Sequence, residues 1–209
     1  MNPVEQCTMR VKDIYNAFDG SHDFLHIERV LANARQILKT EANANVQVVE
    51  LAVLLHDVSD PKYSQDKRQE QTILNELSIT DAERLAITQT IAAVSYRGGH
   101  ELEATTIEMK IVRDADRLDA IGAIGIARAF TFGGAKNRPL YDDVLHVTQY
   151  ENEEAYRQAK GGTITHFYEK LLHLKELMTT SEGRKIAEGR HAFMVQFLEQ
   201  FKQEREGQL

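Results

Sequence analysis

Val46-Gln47-Val48-Val49-Glu50-Leu51-Ala52-Val53-Leu54-Leu55-His56-Asp57 is the stretch on which the fold turns. Apolar residues fall on nearly every side of a 3.6-residue period, with none of the alternation of a half-buried strand. A helix that is apolar all round belongs in the middle of a core rather than on its surface. The spacing therefore predicts a helix over 46–57 with other helices packed about it. That helix closes on a histidine and an aspartate. Burying an imidazole and a carboxylate there without partners costs roughly several kcal/mol. A helix C-terminal cap is the bland alternative, but the partial negative charge at that end disfavours a carboxylate. A divalent cation would partner both side chains.

Upstream, from Phe24 to Lys39, Ile27, Val30, Leu31, Ala34, Ile37 and Leu38 recur at three- and four-residue spacing and paint one helix face. Downstream, Thr80 with Glu83 and Thr105 with Glu108 have the form of capping boxes, which mark two helix starts. The first of these helices is expected to stop at Gly98-Gly99 and the second to run through Asp116 towards Gly133-Gly134. Gly122 and Gly125 lie inside the second, each costing about 1 kcal/mol relative to alanine, which implies close packing or a bend. Tyr141 to Asp143 is polar and irregular, while His166 to Met178 and Ile186 to Phe201 are again helical in pattern. With three prolines, no repeat and no Gly/Ser/Pro-rich linker, the expectation is an all-α chain forming a single domain over 1–209. Its core spans about 20–134 and a helical C-terminal extension about 140–209.

Length and composition agree with one domain: 209 residues, 42% apolar and 27% charged, against roughly 150 residues for an ordinary domain. A formal charge of −7 opposes binding of a nucleic-acid duplex, whose phosphates require a surplus of Lys and Arg. It leaves room for a small anion held by a few local cations. One cysteine, Cys7, excludes an intrachain disulfide and fits a reducing compartment. The first residues lack a basic segment followed by an apolar run, and no stretch approaches 18 apolar residues. The expected location is cytoplasmic, with no membrane partner.

The residues that need a chemical explanation are His22, His26, His56, Asp57 and Asp116. At about 100° per residue, His26 falls on the edge of the apolar arc of its helix, with His22 one turn earlier. Asp116 lies near the core-facing side of its own helix, in Arg113-Asp114-Ala115-Asp116-Arg117-Leu118-Asp119. Two readings stay open for it. It joins the histidines around a metal, or the Asp/Arg alternation forms surface ion pairs.

This ordered set resembles the HD-domain metal-dependent phosphohydrolase superfamily: a histidine, a His-Asp doublet, then a distant aspartate. It is most similar to the small bacterial stand-alone branch, in His56-Asp57-Val58-Ser59-Asp60-Pro61-Lys62 and in Asp114 to Gly122. Ser21-His22-Asp23-Phe24-Leu25-His26 and the later His166-Phe167-Tyr168-Glu169-Lys170-Leu171 extend the likeness over most of the chain. The resemblance implies an HD-domain helical bundle with a metal site between core helices. It assigns His26, His56, Asp57 and Asp116 as ligands of one divalent metal ion, which could be Mn, Co, Ni, Fe, Zn or Mg.

The activity implied is hydrolysis of a small phosphorylated substrate, a nucleotide, by metal-bound hydroxide attacking phosphorus. Nucleoside triphosphate to monophosphate plus pyrophosphate comes first in order. Nucleotide phosphomonoesterase, cyclic phosphodiesterase and a non-catalytic metal- or nucleotide-binding HD module are the alternatives. Members of that superfamily that bind two metals carry extra histidines between the doublet and the last aspartate; here that interval holds only His100, so the resemblance implies one metal rather than two. His22 then becomes a supporting residue or a phosphate contact. By the same likeness, Asp60, three positions after Asp57, assists the attacking water. Lys62 is the best-placed cation for phosphate, with Arg29 and Arg97 as further candidates, and Asp119 would hold Lys62 or a bound water. A di-iron carrier needs two Glu-x-x-His motifs, and only Glu188 to His191 supplies one. The zinc-protease and phosphate-loop motifs are absent. The oligomeric state is left open, a homodimer included.

Overall fold

The computed structural model describes residues 1–18, 23–59, 68–94, 102–145 and 161–208, and among these every regular element is a helix. The chain divides into two compact units, one of Met1–Ser95 with Glu101–Asp116 and one of Tyr96–His100 with Arg117–Leu209. No single helix among the described residues is long and apolar enough to cross a membrane.

In the first unit α3 (Val46–Leu55) is the central element, as its composition demands. Val48, Val49, Leu51, Ala52, Val53, Leu54 and Leu55 are all buried, and complete burial of each larger side chain contributes about 1.5–3 kcal/mol. α1 (Pro3–Tyr15), α2 (Phe24–Leu38) and α5 (Asp81–Val94) pack against it. α4 (Gln69–Glu76) and most of α6 (Ile107–Asp119) complete this unit. α1 starts at a capping box in which the Glu5 amide donates to Asn2 Oδ1 at 2.8 Å and the Asn2 amide to Glu5 Oε2 at 3.1 Å. The box predicted at Thr80 and Glu83 is present, with the Thr80 amide donating to Glu83 Oε2 at 2.9 Å and the Glu83 amide to Thr80 Oγ1 at 3.2 Å.

The box predicted at Thr105 and Glu108 is not formed. The Met109 amide donates to Thr106 Oγ1 at 3.3 Å, and Glu108 reaches across to accept the Asn45 amide at 2.9 Å, just before α3. The long helix predicted through Asp116 to Gly134 is also interrupted. After Asp119 the amides of Ala120 and Ile121 turn back to the carbonyls of Arg117 and Leu118 at 3.1 and 3.4 Å. Ile121 is extended and Gly122 adopts φ +75°, a conformation that only glycine takes at little cost. The stop predicted at Gly98-Gly99 lies outside the described residues.

The second unit contains α7 (Gly122–Ala135), α8 (Thr163–Glu169), a 3₁₀ helix over Leu171–Leu177 and α9 (Ser181–Arg205). The helix predicted over 166–178 is thus two pieces, broken where Lys170 leaves helical geometry at φ −136° and ψ −59°. α7, α8 and α9 share an aromatic cluster, with Phe130, Phe167 and Phe197 centroids 5.9–6.1 Å apart. The irregular segment before α8 fastens it, because Asp142 Oδ2 accepts the Gly162 amide at 2.8 Å and the Thr165 hydroxyl at 2.5 Å.

Burial, then the charges of Lys170 and Arg138, push His166 down from its ordinary value to about 3. The unfolded chain therefore takes up this proton first as pH falls. The contribution is fully present above about 6.5, the unfolded value, and is lost progressively towards about 3. Urea unfolding across this window is expected to show falling stability, with a shallower fall in His166→Gln. An identical slope in both proteins would exclude His166 as the source.

Candidate metal centre

Three helices of the first unit each deliver a part of the site. Asp23 caps α2 by accepting the His26 amide on Oδ1 at 3.1 Å, which places His26 in the first turn with its side chain fully buried. At the other end of α3, His56 is the C-cap residue and Asp57 follows it. Asp116 comes from α6, whose backbone is tied to α2 where Asn33 Nδ2 donates to the Ala115 carbonyl at 3.1 Å. Arg113 and Asp114 beside it are buried, and Arg113 Nε donates to the Ala93 carbonyl of α5 at 2.8 Å. The surface ion-pair reading of this stretch therefore fails, because Arg113, Asp114 and Arg117 are buried and the two arginines donate to backbone carbonyls.

The four side chains converge. His26 Nε2 lies 3.7 Å from Asp57 Oδ2 and 3.6 Å from Asp116 Oδ1, and His56 Nε2 lies 3.4 and 3.7 Å from the same two oxygens. The two rings meet edge-on with centroids 5.6 Å apart. His56 Nδ1 faces the Val53 carbonyl at 2.8 Å. That contact requires Nδ1 to carry the proton, so the Nε2 lone pair points at the carboxylates. The buried His56 Nε2 makes no hydrogen bond.

These observations fit a cation. Donor atoms 3.4–3.7 Å apart are too distant for good hydrogen bonds, yet they match the separation of ligands each about 2.1 Å from a shared ion. Two neutral imidazoles and two carboxylates also balance a divalent charge. Mixed nitrogen and oxygen donors suit a transition metal better than calcium. Within the protein alone the same demand for positive charge falls on His56. Burial opposes its protonation, but Asp57 and Asp116 outweigh burial and raise it to about 10. The side chains of Asp57 and Asp116 are 18% and 31% exposed while the histidines are buried, so the carboxylate side is where solvent or substrate can reach.

His26, His56 and Asp57 are the group of three or more potential ligands found among the described residues, and Asp116 adjoins it. Glu188 and His191 on α9 join no such group there. Arg29 is on α2 one turn past His26 and is half-buried. Asp119 belongs to the second unit, where its Oδ2 accepts from Arg128 Nη1 at 3.0 Å. His22, Asp60, Lys62 and Arg97 lie outside the described residues, as does His100.

The sequence reading missed two supports. Asn33 is seven residues past His26, on the same face of α2, and a polar residue on that apolar stripe was the available signal. Tyr15, in α1, donates its hydroxyl to the Leu54 carbonyl at 3.0 Å and accepts the Asp57 amide at 3.3 Å. Burial first, then the Asp57 carboxylate, keeps this phenol protonated well above its ordinary range.

The model of the HD domain matches residues 24–121, which contain all four converging side chains. YpgQ of Bacillus subtilis is 37% identical over 210 residues, covering 98% of this chain and 94% of that protein. A solved protein of Lactobacillus plantarum superposes with a TM-score of 0.86 at 32% identity, over 98% of this chain and 97% of its own. The crystal structure of YpgQ in complex with ADP gives a TM-score of 0.75 at 35% identity, over 96% and 97%. A Bacillus thuringiensis protein described as an HD-superfamily hydrolase gives 0.74 at 38% identity, over 97% and 96%. With its four-residue cluster inside the matched region and likeness over nearly its whole length, this chain belongs to the HD-domain superfamily, alongside the small stand-alone proteins of the YpgQ family.

Proposed function

We propose that this chain is a metal-dependent phosphohydrolase acting on nucleotides, with nucleoside triphosphate cleaved to monophosphate and pyrophosphate as the favoured reaction. The observation that carries the proposal is that His26, His56 and Asp57 meet closely enough to share an ion, with Asp116 Oδ1 3.6 and 3.7 Å from the two imidazoles, at a place more exposed on its carboxylate side. The ADP complex of YpgQ, 35% identical in sequence, supports a nucleotide as the ligand. A divalent cation bound there supplies a Lewis acid that polarises a phosphoryl oxygen and lowers the pKa of water towards about 7.

The protein's own part is binding, orientation and proton handling. His56 presents Nε2 because the Val53 carbonyl holds the proton on Nδ1, and two neutral imidazoles with only two carboxylates would leave a divalent ion formally neutralised, so that an anionic substrate is not repelled as it would be by a cage of carboxylates alone. Asp60 is proposed to orient the attacking water and accept its proton on a carboxylate oxygen. Lys62 is proposed to meet the phosphate charge, with His22, Arg29 and Arg97 as further contacts. Asp119, whose Oδ2 accepts from Arg128, is proposed to hold Lys62 or a bound water.

Incubation with nucleoside triphosphates and Mn, Co, Ni or Mg, with products identified by mass, tests the reading. Monophosphate with pyrophosphate supports it; diphosphate with orthophosphate would assign removal of a terminal phosphate instead. No turnover with any metal would leave a binding module. Asp60→Ala is expected to keep metal content while losing rate, on the order of 100-fold or more for a lost general base. Lys62→Ala is expected chiefly to raise KM. An unchanged KM would remove Lys62 from the substrate contacts.

A further inference from the structure

α3 ends with backbone groups that its own turns do not satisfy, as the last carbonyls of any helix do. Here the chain must also turn so that adjacent residues, His56 and Asp57, aim at one point. The Val58 amide closes on the Leu55 carbonyl at 3.2 Å, one residue short of the α-helical partner. The Leu54 carbonyl instead takes its donor from another helix, the Tyr15 hydroxyl of α1 at 3.0 Å. The oxygen of that hydroxyl accepts the Asp57 amide at 3.3 Å. One phenol therefore bonds the backbone on both sides of His56. Tyr15 is fully buried, and its ring packs edge-on against Phe18 at 5.4 Å, so the hydroxyl has little freedom to leave.

We infer that Tyr15 is a positioning residue of the metal centre: by bridging the Leu54 carbonyl and the Asp57 amide, its hydroxyl fixes the turn that aims the His56 imidazole and the Asp57 carboxylate together. The inference rests on these side chains being metal ligands, as proposed above. Loss of an outer partner that orients ligands costs metal affinity roughly 10- to 100-fold. A tyrosine that merely filled the core would leave affinity unchanged when its ring was kept.

The test is Mn²⁺ binding by equilibrium dialysis to the unmodified chain, to Tyr15→Phe and to Val11→Ala. Tyr15→Phe keeps the buried ring and removes only the bridge. Val11 is fully buried on the same helix, so its truncation softens the core without touching the hydroxyl. The expected result is an affinity about tenfold weaker or more in Tyr15→Phe, with occupancy regained at higher Mn²⁺. Val11→Ala is expected to melt at lower temperature and bind Mn²⁺ as the unmodified chain does. Unchanged affinity in Tyr15→Phe, or equal weakening in Val11→Ala, overturns the positioning role. Failure of the unmodified chain to bind Mn²⁺ is a separate result, which overturns the metal reading and this inference with it.

Discussion

Asp57→Ala is expected to reduce bound divalent metal to background after dialysis and to lower phosphohydrolase turnover by about a thousandfold or more, some 4 kcal/mol of transition-state stabilisation. The size of the effect follows from where the carboxylate stands. Its Oδ2 is 3.7 Å from His26 Nε2 and 3.4 Å from His56 Nε2, so it faces both imidazoles. Without it, Asp116 alone would face two imidazoles and a doubly charged ion, and one coordinating oxygen would be missing. His56→Ala is expected to do the same for the opposite reason, since it removes the nitrogen that the Val53 contact aims at the site. Metal analysis together with far-UV circular dichroism separates loss of the ligand from loss of the fold. An Asp57→Ala protein with full metal and full rate would show the ligand assignment to be wrong.

Gly125→Ala is expected to destabilise the second unit by about 3 kcal/mol or more, at the upper end of what overpacking costs. A Cβ at this position would lie 2.2 Å from the Ala120 carbonyl oxygen and 2.4 Å from its carbon. Both are backbone atoms, so no side-chain rotation relieves the contact. The break between α6 and α7 would have to move, and with it the turn that Gly122 makes at φ +75°. The control is Gly189→Ala in the interior of α9, where nothing lies within 4 Å. That change is expected to stabilise by up to about 1 kcal/mol, because alanine is the better helix former. Thermal melts of the two variants should therefore move in opposite directions, with Gly125→Ala lower by roughly 10 °C. If both move alike, the close approach at Ala120 does not exist.

What could be read from the sequence depended on how local its cause was. α3 was readable because its apolar density comes from its own residues, and α2 because one stripe of side chains repeats at helical spacing. His22, His26, His56, Asp57 and Asp116 stand out because polar or charged groups fall at or near apolar faces, where burial requires a partner, but that pattern leaves Asp116 open between a metal and ion pairs, and the resemblance to the HD-domain superfamily is what assigns it with His26, His56 and Asp57. The misses have distant causes. Glu108 gives up its own capping box to bind the amide of Asn45, 63 residues earlier in the chain. The Leu118 carbonyl at the end of α6 is taken by the guanidinium of Arg190 in α9, a partner that no local pattern announces. α1 carried a signal that went unread: Cys7, Val11 and Tyr15 recur every four residues and are its buried residues. Tyr15 itself gave no sign of its bond to Asp57, since a tyrosine on such a stripe looks like any other core residue.

The proposed phosphohydrolase site requires one divalent ion held jointly by side chains from α2, the C-terminal end of α3 and α6. Anomalous diffraction from a crystal grown with Mn²⁺ is the deciding measurement. A single strong peak is predicted, bonded to His26 Nε2, His56 Nε2 and one oxygen each of Asp57 and Asp116, with at least one further position open to a non-protein oxygen. A peak bonded to other residues, or no peak among these four, would contradict it.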